Sequence, residues 1–396
     1  MNILFYGLNL NPPWVEGLRN TVKELATMMK NKGHNVCIIT KGIIGEPEEE
    51  NINGITYFRI PTASTSTYND GSIKFIIKSL SKIKTLTEKY DVDVVHGHSS
   101  YPLIGIAEKF SRSAALFTLY SRLGSNSKML EYNVITNYLL SFAKSRFVAS
   151  LLKKAVDHVT CITPSIYESL PSNVKSISSI IPIGVNTERF NPSKNGDKFR
   201  DELGIEDEKL IFMIGDVTPW KGSEVFIKAA KKVASKRQDV NFVLFAKGTY
   251  EFERERLEKL KNMVKAYNLE EKIYFAGVYN NIEEIYAAAD IAVFPYIEAF
   301  ALMSIPLSLL EVMALGKPII ASKVGDMDYA IRNGVDGRLV NPGSVKELAN
   351  ALIFLLEHED ESRKMGMNAW SRVKKNFDWN TILGKYITLY NNIIIR

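Results

Sequence analysis

Short β-branched runs alternate with longer stretches of helical periodicity along the whole chain. In the first half the predicted strands are NILFYGL, NVCIIT, ITYFRIP, VDVVHGH, ALFTLY and HVTCIT, with helix-length segments at Leu18 to Lys32, Ser72 to Tyr90 and Glu131 to Ala155. After IPIGVNTERFNPSKNG the pattern restarts with LIFMIGD, VNFVLFAKG, KIYFAGV, IAVFPY, PIIAS and GRLV. Runs that are apolar throughout, rather than alternating, suit strands covered on both faces, hence a parallel sheet between two helix layers. The expected fold class is therefore α/β, with two doubly wound Rossmann-like domains facing a cleft at the carboxyl ends of their strands. The Pro, Asn and Gly cluster from Ile183 to Gly196 marks the boundary and a hinge. The expected domains are 1–190 and 191–376, with 377–396 a last helix.

The length, 396 residues, agrees with two cores, since one core stops growing near roughly 250 to 300 residues. With 46% apolar and 24% charged residues and a mean hydropathy of −0.07, the chain is an ordinary globular one. Its two cysteines, Cys37 and Cys161, sit inside apolar runs and read as buried thiols, not a disulfide framework or metal site. MNILFYGLNL lacks a basic leader and cleavage site and reads as a buried strand, so a cytoplasmic location is expected. Ile291 to Leu310 is apolar enough to suggest a membrane span, but Pro295, Glu298 and Pro306 interrupt it.

The net charge of +6 is unevenly placed: residues 1–180 carry 20 Lys and Arg against 14 Asp and Glu, and the remainder is balanced. The excess gathers around Lys74, Lys78, Lys82, Lys84 and Lys89, and around Lys144, Arg146, Lys153 and Lys154. It fits a solvated helix face, and also peripheral contact with an anionic acceptor or the inner membrane face. Basic residues interleaved with aromatics are not seen, so no nucleic-acid partner is expected.

Several residues carry possible chemistry. In GDVTPWKGSEVF a strand ends at Asp216, a turn contains Pro219 and Gly222, and a helix starts near Ser223, leaving Lys221 just before a helix N-terminus. Amides and an ammonium there can hold a phosphate. Glu311 lies in the otherwise apolar LSLLEVMALG, where an ionised carboxylate needs a partner, such as a ribose diol or a backbone amide. Gly325 and Asp326 form a strand-to-helix turn that either admits a ligand or caps the helix. Gly17 opens the first helix and lets the backbone approach a bound group. His96 and His98 alternate on one strand and share a side, toward the cleft; without a nearby carboxylate or cysteine cluster they do not suggest a metal site.

At these residues the chain resembles the family 4 glycosyltransferases, retaining enzymes of GT-B architecture that use nucleotide-sugar donors. NKGHNVCIIT, DVVHGH, IPIGVNTERFNP, TPWKG, LLEVMALGKPII and IRNGVDGRLV followed by VKELANALIFLL carry the resemblance over essentially the whole length. It implies an N-terminal acceptor-side domain, a C-terminal nucleotide-sugar domain and a last helix returning to the first. Lys221 would hold the donor diphosphate, Glu311 the ribose hydroxyls, amides near Gly17 and Gly325 the phosphates and sugar, and apolar contacts near Val278 and Tyr279 the base. His98 would position sugar or acceptor, and Glu298 would serve as a catalytic carboxylate. No metal or other cofactor is implied, because the leaving diphosphate oxygen takes the acceptor proton and Lys221 with helix N-termini balances its charge.

The chain also departs from the family pattern. Asp216 stands where the family has Arg, and one cation fewer implies donor affinity lower by about one to two decades, since a charge-assisted bond is worth about 1.5–3 kcal/mol. The family's paired glutamates are closer together than Glu298 and Glu311, the histidine of its T-x-H pattern is Tyr120 here, its first N-terminal glycine is Glu16, and its later glutamate is Tyr329. These departures motivate one alternative to a hexosyltransferase, a non-catalytic GT-B relative that binds nucleotide or glycan, and the shared architecture leaves a second, a GT-B sugar-nucleotide epimerase or sugar phosphorylase. The donor's base and sugar, and the acceptor, are not legible.

Overall fold

The computed structural model describes residues 1–12, 17–63, 72–99, 101–106, 113–123, 145–246, 251–298 and 305–395. The chain divides into two compact units, one built from Met1–Ile183 with Trp379–Arg396, the other from Gly184–Phe300 with Ile305–Asp378.

The first unit is built on an eight-stranded sheet. Its strands are β1 (Asn2–Tyr6), β2 (Asn35–Ile43), β3 (Glu49–Ile52), β4 (Ile55–Ala63), β5 (Val94–Ser99), β6 (Ala114–Leu119), β7 (His158–Cys161) and β8 (Ser178–Ile180), in the order β3-β4-β2-β1-β5-β6-β7-β8. All neighbours are parallel except β3, which runs antiparallel to β4. The central strands are buried on both faces, as their unbroken apolar runs require. The helix Gly17–Asn31 buries Leu18, Val22, Leu25, Ala26 and Met29, one stripe of a 3.6-residue period. The last helix, Trp379–Ile394, buries Trp379, Ile382, Leu383, Tyr386, Tyr390 and Ile393 in the same way, and packs in this unit.

The second unit has six parallel strands: β9 (Lys209–Met213), β10 (Val240–Phe245), β11 (Ile273–Ala276), β12 (Ile291–Phe294), β13 (Ile319–Ser322) and β14 (Arg338–Val340), in the order β11-β10-β9-β12-β13-β14. Each coincides with one of the runs expected from the sequence. The helices Ser223–Ala234 and Val345–Glu357 pack against one another, and Phe226, Phe242, Val293 and Leu352 belong to the core beneath them.

Two strands of the first sheet, β3 and β8, are absent from the sequence reading; they are the two edges, short and poor in apolar residues. The helix expected from Glu131 to Ala155 is seen as Arg146–Leu152, and 131–144 lie outside the described residues. Cys37 is half-buried and Cys161 fully buried; burial pushes both thiols up, Cys37 to about 12.

The chain passes from the first unit to the second after Ile183 and returns after Asp378. Inside the second unit these two passages are tied together. Val185 N donates to Phe377 O at 2.8 Å, Val185 and Asp378 form a β-bridge, and Thr187 Oγ1 donates to the buried Asp378 carboxylate. Lys374 Nζ adds a bond of 2.9 Å to Thr187 Oγ1. These bonds place residues 184–190 in the second unit, whereas the sequence reading put them in the first.

Candidate active site

The loops that follow β9, β12 and β13 leave from neighbouring strands of the second sheet, so the sheet itself gathers them at one carboxyl edge. The first contains Asp216 and Lys221, the second Tyr296 and Glu298, the third Gly325.

The lysine loop is shaped by its own side chains. Asp216 Oδ1 accepts the Thr218 amide at 2.9 Å and also the Thr218 hydroxyl, closing a local turn. Residues Pro219–Lys221 then make one 3-10 turn, and Gly222 starts the helix Ser223–Ala234 with φ +79°. Only glycine fits there: besides the positive φ, an added Cβ would overlap the carbonyl oxygen of Pro295. Trp220 O accepts the Ile297 amide at 2.8 Å, which fastens this loop to the one after β12.

The Lys221 ammonium lies over the Tyr296 ring, 3.9 Å from its centroid. Tyr296 is itself buried and its hydroxyl donates to Ile214 O at 3.4 Å. The half-buried Lys221 is thus held at the strand edge, against the helix N-terminus that its position in TPWKG predicts. The aromatic platform was missed; its signal in the sequence is the tyrosine just past β12 in IAVFPY.

Glu311 is half-buried on the helix Leu307–Ala314, whose neighbours Leu309, Leu310, Val312, Met313 and Ala314 are all buried. Close by, the fully enclosed Tyr286 phenol is pushed well up, first by burial and then by the Glu311 carboxylate. Tyr286 is a second neighbour that spacing did not reveal. Gly325 has φ +63° and precedes the helix Met327–Ala330, where Asp326 holds the N-cap position, buried, without a side-chain cap bond. Glu298 is exposed at the end of the described part of its loop. Val278 and Tyr279 follow the edge strand β11, Val278 exposed and the Tyr279 ring edge-on to Phe199 at 5.4 Å.

The other expected site residues, Gly17 and His98, belong to the first unit. Gly17 begins its helix as expected, while Glu16 lies outside the described residues. The nearby Arg19 is buried, and its Nη1 donates to Asn11 O at 3.4 Å. His96 and His98 do lie on one side of β5, with ring centroids 3.9 Å apart. The expectation that both face a cleft is corrected: each is fully buried. His96 has both nitrogens filled, Nδ1 by Tyr390 Oη and Nε2 by Thr118 Oγ1, each at 2.7 Å. It is a structural histidine, joining β5 to β6 and to the last helix. His98 Nδ1 is 3.0 Å from Tyr120 Oη, and its Nε2 has no partner among the described residues. Burial holds both imidazoles neutral, His98 down to about 3 and His96 well below its usual value, with His98 adding to the effect at His96.

Among the described residues no cluster of histidine, cysteine and carboxylate side chains could hold a metal ion, and no helix is long and apolar enough to cross a membrane.

Comparison with known proteins bears on the fold and the family. The family model described as glycosyltransferase family 4 matches residues 15–189, and that described as glycosyl transferases group 1 matches residues 195–372. The chain is 25% identical over 395 residues to an uncharacterized glycosyltransferase of Methanocaldococcus jannaschii, covering 96% of this chain and 95% of that one. It is 24% identical over 396 residues to the UDP-Gal:alpha-D-GlcNAc-diphosphoundecaprenol alpha-1,3-galactosyltransferase of Escherichia coli, covering 97% and 96%. Among solved structures, sucrose-phosphate synthase from Thermosynechococcus elongatus superposes with a TM-score of 0.80 at 22% identity, over 100% of this chain and 99% of that one. Anabaena HepE in complex with UDP-glucose gives 0.76 at 18% identity, over 99% and 100%. The two α/β units are therefore those of the GT-B fold, and the chain belongs to the family 4 glycosyltransferases.

Proposed function

We propose that this glycosyltransferase moves a hexose, with retention of anomeric configuration and without a metal, from a nucleoside diphosphate sugar to a glycan, lipid-linked or small-molecule acceptor. The observation that carries the reading is the carboxyl edge of β9, β12 and β13, from which the loops of Lys221, Tyr296 and Gly325 leave, with the Lys221 ammonium held over the Tyr296 ring beside the start of the helix Ser223–Ala234. Breaking an anomeric carbon–phosphate bond leaves a diphosphate with about two negative charges, and stabilising developing charge is what such a set of donors does best. Lys221 is assigned to the diphosphate and Glu311 to the ribose hydroxyls. Tyr296 holds the Lys221 ammonium over its ring before the donor arrives. Two similar proteins support the donor class, since one is named for UDP-Gal and the structure of the other holds UDP-glucose.

The test is diphosphate release from a panel of UDP, GDP and ADP sugars. Turnover should survive a chelator, the product should keep the donor's anomeric configuration by NMR, and Lys221→Ala should weaken UDP binding by about tenfold or more, the loss of a charge-assisted bond. Loss of all turnover in chelator, or unchanged UDP affinity in the variant, would overturn the assignment. Binding without turnover would favour a non-catalytic relative.

A peripheral membrane contact is proposed for the first unit. Phe147, two-thirds exposed, and Leu151 stand beside the exposed Arg146, Lys153 and Lys154, a combination that suits an anionic lipid surface. The protein should sediment with phosphatidylglycerol vesicles at low salt and not with phosphatidylcholine vesicles, and Phe147→Ser should weaken the association. Equal recovery with both lipids would remove this contact from the account.

A further inference from the structure

A cavity opens at the opposite edge of the second sheet, away from the loops described above. Lys209 begins β9, Asp290 stands just before β12 and Lys317 two residues before β13, so the three meet at the amino ends of neighbouring strands. With Glu359, Ser362 and Arg363 of the helix Glu359–Asn376 they line a cavity of about 240 Å³. All six belong to the second unit. The Lys221 loop leaves the other end of β9, whose five residues at about 3.3 Å each put roughly 15 Å of sheet between the two places.

The charges around this cavity do not balance. Lys209 Nζ is paired with Glu359 Oε1 at 2.8 Å. Asp290 is engaged as well, since its Oδ2 accepts from Arg200 Nη1 at 3.2 Å and from the Leu210 amide at 2.8 Å. Two cations are left over. Lys317 is half-buried and Arg363 exposed, and neither has a hydrogen bond or ion pair among the described residues. Burial pushes the Lys317 ammonium below its usual value; Asp290 opposes this and Arg200 adds to it. The hydroxyl of the buried Ser362 also has no partner among the described residues.

An ammonium withdrawn from water with its donors unused is costly, and a bound anion removes that cost. The chemistry selects the class of anion. Two unspent cations match a dianion better than a carboxylate, and phosphoryl oxygens can accept from the ammonium, the guanidinium fork and the serine hydroxyl together. The volume is below the roughly 300–1,000 Å³ of sites for drug-sized ligands, so the ligand is small. We propose that this cavity binds a phosphate dianion, free or as the phosphoryl group of a small phosphomonoester, at a second anion site separate from the donor site assigned to Lys221. The inference stands on Lys317, Ser362 and Arg363 and does not depend on the transferase reading.

The test is calorimetric titration of the full chain with inorganic phosphate and with glucose 6-phosphate, each in the presence of UDP so that the Lys221 edge is already filled. Both should bind: equal affinities mean that the phosphoryl group alone is read, and tighter binding of glucose 6-phosphate means a phosphomonoester site. Lys317→Met keeps the apolar stem and removes the charge, and should weaken phosphate binding by about tenfold or more. Arg363→Gln, at an exposed position, should weaken it by about threefold to tenfold. Lys221→Ala, far across the sheet, should leave it within about twofold. Absence of phosphate binding, or an equal response to chloride at the same ionic strength, would overturn the proposal. So would binding lost in Lys221→Ala and kept in Lys317→Met and Arg363→Gln, which assigns the anion to the other edge. UDP affinity is read in the same samples, so a failure of the donor reading shows as absent UDP binding and leaves the Lys317 and Arg363 results to decide this site.

Discussion

At the scale of single residues, Asp216 shows how a substitution that looks like a loss of charge can be a gain in local order. The sequence presents it as a missing cation. The structure shows its Oδ1 holding the amide and hydroxyl of Thr218, so that the turn leading to Lys221 is built by the carboxylate itself. Shape and charge can therefore be separated. Asp216→Asn keeps an acceptor oxygen at the same place and removes the negative charge beside the proposed diphosphate site, so UDP affinity should rise by about threefold to tenfold. Asp216→Ala removes the acceptor and should lower it, despite losing the same charge. Calorimetric titration of both variants with UDP checks this; a matching change in the two would mean that charge alone matters. Lys221 was legible because strand, turn and helix start are all local in TPWKGS. The difference between His96 and His98 was not, because what separates them, Tyr390 against an empty Nε2, lies in another segment of the chain.

At the scale of elements, the four central strands of the second sheet were readable one by one, because their runs are largely apolar and covered on both faces. The edges of the first sheet were not. EENI of β3 has three polar residues in four and pairs antiparallel on one side only, so neither hydrophobicity nor a crossover helix announces it. The last helix was legible as an amphipathic stretch, but not the polar use made of it. Tyr390 and Tyr386 lie deep in the first unit, Tyr390 Oη on His96 and Tyr386 Oη 3.4 Å from Thr118 Oγ1, while Thr118 also bonds Thr160 at 2.6 Å. Tyr390→Phe should thus cost about 1–3 kcal/mol, more than an exposed tyrosine would, because His96 Nδ1 is left buried and unsatisfied. Urea unfolding followed by the near-UV signal reads this, and a midpoint equal to that of the native chain would argue that the network has no weight.

For the molecule as a whole, the buried imidazoles make stability depend on pH in a definite direction. In the unfolded chain they take a proton near pH 6.5, whereas in the folded chain His98 resists until about pH 3, and His96 is also held well down. Between those values the unfolded state binds more protons. The stabilisation is complete above pH 6.5 and drains away as pH falls toward 3, by about 1.4 kcal/mol per pH unit for each such histidine. Between pH 7.5 and 5 the opening free energy at the amides of β5 should drop by about 2–4 kcal/mol in hydrogen exchange, and His98→Gln should flatten the slope. A profile flat over that range would contradict the burial described here.

The bond between His96 and Tyr390 spans 294 positions, and it sets an order of events during synthesis. When β5 and β6 leave the ribosome, the hydroxyls that complete their polar layer have not been made, and the entire second unit must be translated first. Until the final helix docks, His96 and Thr118 have to keep their hydration, so the polar layer of β5 and β6 is the last to close. Loss of the helix Trp379–Ile394 therefore registers almost three hundred positions earlier, in β5 and β6.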